Sequence, residues 1–152
     1  MITAQDFIRL FKAWAALMRD KKDELVRLDS VGGDGDLGLA MMDGFNAIEN
    51  MLRDSTETDI GRLLFTAGKT MGDSASSSLG TLLAFGFMGA AKALKGKSEL
   101  KNEELAVFFR AFEDAIQTRG GAKLGEKTFL DAFDPAVESL EHDSFEVDLY
   151  GP

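Results

Sequence analysis

The stretch whose reading decides the fold is GGDGDLG, residues 32–38. Gly33, Gly35 and Gly38 satisfy G-x-G-x-x-G, the spacing with which dinucleotide folds bring backbone N–H groups to a pyrophosphate. That motif works only after a strand and inside a βαβ unit. Here the preceding DELVRLD (residues 23–29) is helical in pattern, and no strand follows. Asp34 and Asp36 would also turn negative charge on a phosphate. The dinucleotide reading therefore fails.

Working outward, apolar residues recur at helical spacing along almost the whole chain. Phe7, Leu10, Phe11, Trp14, Leu17 and Met18 make one stripe, with Thr3 as its expected N-cap. Leu39, Met42, Phe45, Ile48 and Leu52 make a second, and Ile60, Leu63, Leu64, Ala67 and Met71 a third. Ser78 to Leu94 is apolar nearly all round, which predicts a central helix. Leu105, Phe108, Phe109, Phe112, Ala115 and Ile116 form a fifth stripe behind Asn102 as cap. Phe129, Leu130, Phe133, Val137 and Leu140 form a sixth, which Pro135 should kink or whose true start it should mark. Strand-like alternation is confined to FEVDL, residues 145–149. The predicted fold is all-α, an antiparallel helical bundle or barrel with short connections. It forms a single domain over residues 1–152, with an acidic, poorly ordered tail from 143.

Composition narrows the function. The 152 residues carry 17 basic and 26 acidic side chains, a formal charge of −9. Such a surface repels nucleic acid and anionic membranes. There is no cysteine, which removes disulfides and thiolate metal sites and fits a cytoplasmic setting. MITAQDFIRLFKAW shows no basic leader before an apolar run, and LGTLLAFGFMGAAKAL is broken by glycines, so neither a secretion signal nor a membrane span is expected.

The linkers DSVGGDGDLG (29–38), GDSASSS (72–78) and RGGAKLGEK (119–127) are where chemistry should sit. AGKT (67–70) imitates the end of a phosphate-binding P-loop, but Leu63 stands where its first glycine belongs. A calcium loop opening at Asp34 would need glutamate where Phe45 lies. A carboxylate cluster remains: Asp29, Asp34 and Asp36 lie within eight residues, and glycines let the backbone turn sharply enough to gather them. Two readings stay open. The carboxylates hold a hard divalent cation such as Mg²⁺, which keeps open positions for phosphate oxygens, or they form a solvated acidic turn with Asp36 capping the next helix. GDSASSS is likewise a second phosphate contact or a polar linker. His142 reads as a solvated helix-end residue.

Several patches together resemble one family. LDSVGGDGDLG (28–38) resembles the L-D-x-x-I-G-D-x-D-H-G signature of the nucleotide-binding L subunit of dihydroxyacetone kinases, a domain that also forms the C-terminal half of the ATP-dependent enzymes. RGGAKLGEKTFLDAFDPAVESL (119–140) is similar to the family's R-G-x-A-x-x-G-D-K-T-M-x-D-x-x-x-P-x-x-x-S-L, and GKTMGDSASSSLGTLLAFGFMGAA (68–91) matches more loosely. The resemblance implies an antiparallel α-helical barrel that binds ADP or ATP through Mg²⁺ held by Asp29, Asp34 and Asp36. It assigns further nucleotide contacts to Gly38, Asp73, Ser74, Gly120 and Phe129, with Phe129 as an apolar cover for the base. Thr128 and Asp131 shape the loop.

The implied chemistry is phosphoryl transfer to dihydroxyacetone or a related hydroxyketone held on a partner K subunit. A phosphorylated M subunit recharges ADP in some members. No general base is expected here. Leu37 stands where the family motif has histidine, SSSLG replaces G-G-x-S-G, and the family's closing C-terminal helices have no counterpart. The chain thus reads as C-terminally shortened, with exposed apolar surface that favours a homodimer. The alternative is a non-catalytic interaction or regulatory module of the same fold, which Leu37 and the missing helices favour.

Overall fold

The computed structural model describes residues 1–33 and 35–142. The expectations placed on Asp34, on FEVDL and on the acidic tail fall outside these residues. In chain order the elements are β1 (Ile2–Thr3), α1 (Ala4–Asp29), α2 (Leu37–Leu52), α3 (Ile60–Ser74), α4 (Ser78–Ala93), β2 (Glu99–Leu100), a 3-10 turn (Asn102–Glu104), α5 (Leu105–Gly120) and α6 (Phe129–His142). The six stripes became six helices, and each helix packs on the next in sequence. The all-α reading holds, with one addition. Ile2 and Thr3 pair antiparallel with Leu100 and Glu99, a two-residue ladder too short to show as alternation.

Helix starts follow local chemistry. Thr3 caps α1 as expected, and its amide donates to Asp6 Oδ2 at 2.8 Å. Asp59 accepts from the Arg62 amide at 3.1 Å and opens α3, while Ser77 accepts from the Gly80 amide at 3.0 Å and opens α4. Two expectations need correction. Asn102 is not the cap of α5; it begins the 3-10 turn, and Glu104 holds the N-cap position. Pro135 does not mark the start of α6, which begins at Phe129 and runs through it.

The inward faces are those the spacing indicated, with a rotation in α2. Its buried residues are Gly38, Ala40, Met41, Gly44, Phe45, Ile48 and Leu52, whereas Leu39 is 49% exposed. Small residues bring the helices close. A Cβ on Gly61 would lie 2.6 Å from Lys95 Cα, and one on Gly86 would lie 2.6 Å from the Phe112 ring. Helix α4 is therefore held between α3 and α5, as its all-round apolarity predicts. Phe87 of α4 meets Phe11, Phe45 and Phe112 at ring-centre distances of 5.3, 6.4 and 5.0 Å. Such edge-on and tilted pairs add roughly 0.5–1.5 kcal/mol each beyond burial.

Helix α6 is tied to α5 by charge as well as by rings. Arg110 Nη1 donates to Glu113 at 2.8 Å and to Asp134 at 3.2 Å, and the same guanidinium also bonds Glu141. Glu113 is 2% exposed. Burial pushes its carboxyl up to about 7, and the neighbouring carboxylate of Asp134 adds to the rise against the pull of Arg110.

The sign of the consequence is definite. The folded chain keeps a proton on Glu113 that the unfolded chain releases near 4.5, so this group's contribution falls as pH rises from about 4.5 to about 7. Glu141, held down by its bond to Arg110, acts in the opposite sense and only below the ordinary carboxylate range. Thermal midpoints measured between pH 5 and 8 should therefore decline, and Glu113→Gln should flatten that decline.

Candidate nucleotide-phosphate end of the bundle

Up-and-down packing puts the C-termini of α1, α3 and α5 and the N-termini of α2, α4 and α6 at one end. Contacts of the N-terminal halves of α2 and α4 with the ends of α3 and α5 agree with this. A Cβ on Gly44 of α2 would lie 3.1 Å from Ala75, just past α3, and one on Gly120 would lie 3.0 Å from Leu82 in α4. Arg119, in the last turn of α5, stacks over Phe85 of α4 at 5.1 Å. The three linkers singled out in the sequence therefore share one end. Beneath them lies an apolar cavity of about 490 Å³, reached by Leu37, Leu79 and Phe129 from the starts of α2, α4 and α6.

The turn between α1 and α2 explains its own glycines. Asp29 is the last residue of α1, and the chain folds straight back over it: the Gly33 amide donates to Asp29 O at 2.6 Å. A Cβ on Gly33 would lie 2.8 Å from that same carbonyl oxygen. Gly35 has φ +78°, a left-handed conformation that glycine adopts without cost. Gly38 packs against α1: a Cβ there would lie 2.7 Å from Val26 Cγ2 and would also strike the Lys22 carbonyl. Each glycine of the apparent dinucleotide motif thus answers to a turn or a close approach. Gly38 itself lies in the first turn of α2, where backbone amides have no partner within the helix.

Asp29 does more than end a helix. Its Oδ2 accepts the Leu37 amide at 3.3 Å, so a side chain from α1 caps the N-terminus of α2. Asp36 occupies the N-cap position but is helical (φ −86°, ψ −11°) and makes no side-chain bond to the first turn. The expectation that Asp36 caps α2 is corrected in this detail. Asp29 and Asp36 flank the same helix start; Asp34 is not among the described residues. Among those residues no group of three or more acidic or histidine side chains is gathered tightly enough to hold a metal ion.

The other expected contacts are distributed around this end. Asp73 and Ser74 are not in a free loop, because α3 continues to Ser74 and the linker shrinks to residues 75–77. Gly120 ends α5, and Gly121, with φ +71°, is its left-handed C-cap. Residues 121–128 then form the third loop. Asp131 organises it: its carboxylate accepts the amides of Gly125 at 2.6 Å and Thr128 at 3.1 Å. Those two donors hold the carboxyl below the usual carboxylate range. Thr128 Oγ1 in turn accepts the Leu130 amide at 3.3 Å. Phe129 stacks on Phe133 at 5.1 Å with 24° between planes and forms part of the cavity wall.

Sequence reasoning missed the Arg110–Glu113–Asp134 cluster. Its only sign was the acidic Glu113 between Phe112 and Ile116 on an otherwise buried face. It also missed Ser77 as the cap of α4, a serine three residues before Gly80 that was legible by position.

The turn predicts an asymmetry between neighbouring glycines. Gly38→Ala should cost about 1–3 kcal/mol in denaturant unfolding, because α1 and α2 must move apart. Gly32→Ala, which has nothing within 4 Å of its Cβ position, should stay within about 0.5 kcal/mol of the parent.

Comparison with known proteins identifies the family. The DAK2 domain model matches residues 31–149. The chain is 36% identical over 124 residues to the ADP-binding subunit DhaL of the PEP-dependent dihydroxyacetone kinase of Escherichia coli (strain K12), covering 82% of this chain and 59% of that protein. It is 33% identical over 138 residues to the ADP-binding subunit DhaL of PEP-dependent dihydroxyacetone kinase 2 of Listeria innocua, covering 90% and 64%. It is 33% identical over 135 residues to the D-erythrulose kinase of Mycolicibacterium smegmatis, covering 88% and 23%. The chain spans about three fifths of the length of these two DhaL relatives. With a family match across most of its length, the chain belongs to the DAK2 domain family.

Proposed function

We propose that this chain is the Mg²⁺–nucleotide-carrying component of a dihydroxyacetone-type kinase, supplying a phosphoryl group to a small hydroxyketone held on a partner subunit. The observation that carries the reading is the junction of α1 and α2. There the carboxylate of Asp29 ends one helix and meets the amide that begins the next. Helix dipoles make such a junction two-faced: the end of α1 favours a cation, and the start of α2 favours an anion. A divalent ion bridging carboxylates to phosphate oxygens matches that alternation. The starts of α4 and α6 add two more amide-rich ends nearby.

The donor chemistry suits magnesium, since carboxylates are hard oxygen ligands and the amides of the adjacent helix start suit phosphate. In this reading Asp29, Asp34 and Asp36 hold the ion, which neutralises phosphate charge when bound. The backbone of Gly38 and the Asp73–Ser74 end of α3 approach the phosphates. Gly120 gives the nucleotide close access to the end of α5. Phe129, backed by Phe133, offers an apolar face to the base, while Thr128 and Asp131 fix the loop above it. No general base is assigned to this chain; the acceptor and any base belong to the partner, and catalysis here is positioning and charge stabilisation.

Relatives named as ADP-binding subunits of PEP-dependent kinases favour a resident ADP recharged by a phosphoprotein M subunit, and those named as erythrulose kinases widen the acceptor class to short hydroxyketones. The chain acts as one DhaL-like unit beside a K subunit. A cytoplasmic setting suits both partners, and no described helix is long and apolar enough to cross a membrane.

Thermal unfolding with ADP tests the proposal. At about 100 times its Kd a ligand stabilises the folded state by roughly 2.7 kcal/mol, a rise of several degrees for this size. The rise should require Mg²⁺ and should vanish in Asp34→Ala. No Mg²⁺-dependent rise with ADP or ATP would leave a helical binding module in place of a nucleotide carrier.

A further inference from the structure

At the far end of the bundle, on the outside of α3 and α4, lies a groove of about 600 Å³. The two helices touch through Gly61 and Gly68: a Cβ on Gly61 would lie 2.8 Å from Ala91 O, and one on Gly68 would lie 3.1 Å from Met88 Cγ. That contact pushes the larger side chains outward. Phe65, 54% exposed, and Met88 supply apolar surface, while Arg62, Lys92 and Lys95 supply charge. The acid in the lining, Glu57, has Oε1 engaged by the amides of Thr58 and Asp59.

Three cations share this one groove. Arg9, Arg19, Lys97 and Arg110 each pair with a carboxylate. Among the described residues, Arg62, Lys92 and Lys95 make no ion pair, as is true of several other lysines and arginines, and what distinguishes these three is that they gather around one groove. On a chain of formal charge −9, the groove is thus a local reversal of sign built around an exposed aromatic.

We propose that this groove docks a short acidic segment of a partner protein, with one apolar side chain of the segment laid against Phe65 and Met88 and its carboxylates paired to Arg62, Lys92 and Lys95. Charge complementarity selects the occupant. A duplex nucleic acid or an anionic bilayer brings extended charge that the rest of the surface repels, whereas a short segment meets only the reversed patch within a Debye length of about 8 Å. A bare inorganic anion would leave the apolar floor uncovered. An exposed aromatic flanked by cations is the composition of an interface hot spot with a charged rim. The groove lies at the start of α3 and the end of α4, away from the phosphate end, so a partner there leaves the nucleotide end open.

The test uses the full chain with isotope-labelled methionine methyls and a synthetic Asp/Glu-rich peptide carrying a single Phe. The Met88 methyl resonance should shift saturably, and affinity should fall with added salt. In the exposed-site variant R62E/K92E affinity should drop by about tenfold or more, and Phe65→Ser should weaken binding with the fold retained by circular dichroism. The proposal is overturned if Met88 does not move at millimolar peptide or if R62E/K92E binds as well as the parent. It is equally overturned if a peptide with lysine at every acidic position, phosphatidylserine vesicles or duplex DNA shifts Met88 equally well.

Discussion

The end of the bundle where the three linkers meet depends on helices approaching one another through positions that carry no side chain. Val26 and the Lys22 carbonyl of α1 fill the space a Cβ on Gly38 would need. Because α2 lies that close to α1, the Asp29 side chain reaches the Leu37 amide across the turn. The same device recurs at Gly61 and Gly68 between α3 and α4 and at Gly86 between α4 and α5. Repeated up-and-down packing then leaves the linkers after α1, α3 and α5 at one end. The candidate site is a by-product of how the core closes, with Asp29 and Gly38 set by helices.

The alternation of helix ends also explains how a chain of formal charge −9 could hold a phosphate-bearing ligand. The molecule's overall field is wrong for an anion. Locally, each junction offers a carbonyl-rich end next to an amide-rich end, and carboxylates sharpen the first of these. Asp131 performs a related task in the third loop, where its carboxylate gathers the amides of Gly125 and Thr128 before α6 begins. Lys127, with φ +59°, shows how sharply that loop is turned. The loop ordered by Asp131 and the rings of the cavity meet at Phe129, stacked on Phe133.

Much of this was legible in the sequence because helical periodicity and linker composition are local signals. The six stripes located the six helices, and the Gly- and Ser-rich segments located three of the connections, although Gly72, Asp73, Ser74 and Ser78 belong to helices. The family motif pointed to Asp131, and the structure supplies its physical reason. What escaped was non-local. The burial of Glu113 depends on Asp134 and Arg110 meeting across two helices, which no spacing within α5 reveals. Asp29, and not the adjacent Asp36, caps α2, because capping here is decided by a turn that folds back on itself. The two-residue ladder between Ile2–Thr3 and Glu99–Leu100 joins segments nearly a hundred residues apart and had no pattern to show. The basic groove on α3 and α4 was hidden for the same reason: its cations come from two helices that meet only in the fold.

The central claim is that the α1–α2 turn brings a divalent ion and a nucleotide's phosphates together at the start of α2. Substituting Mn²⁺ for Mg²⁺ in the presence of ADP and recording amide line broadening by NMR tests it most directly. Broadening should be strongest at Gly33, Gly35 and Leu37, weaker at the starts of α4 and α6, and absent from the β1–β2 end. Broadening centred elsewhere, or none at saturating ADP, would contradict the account.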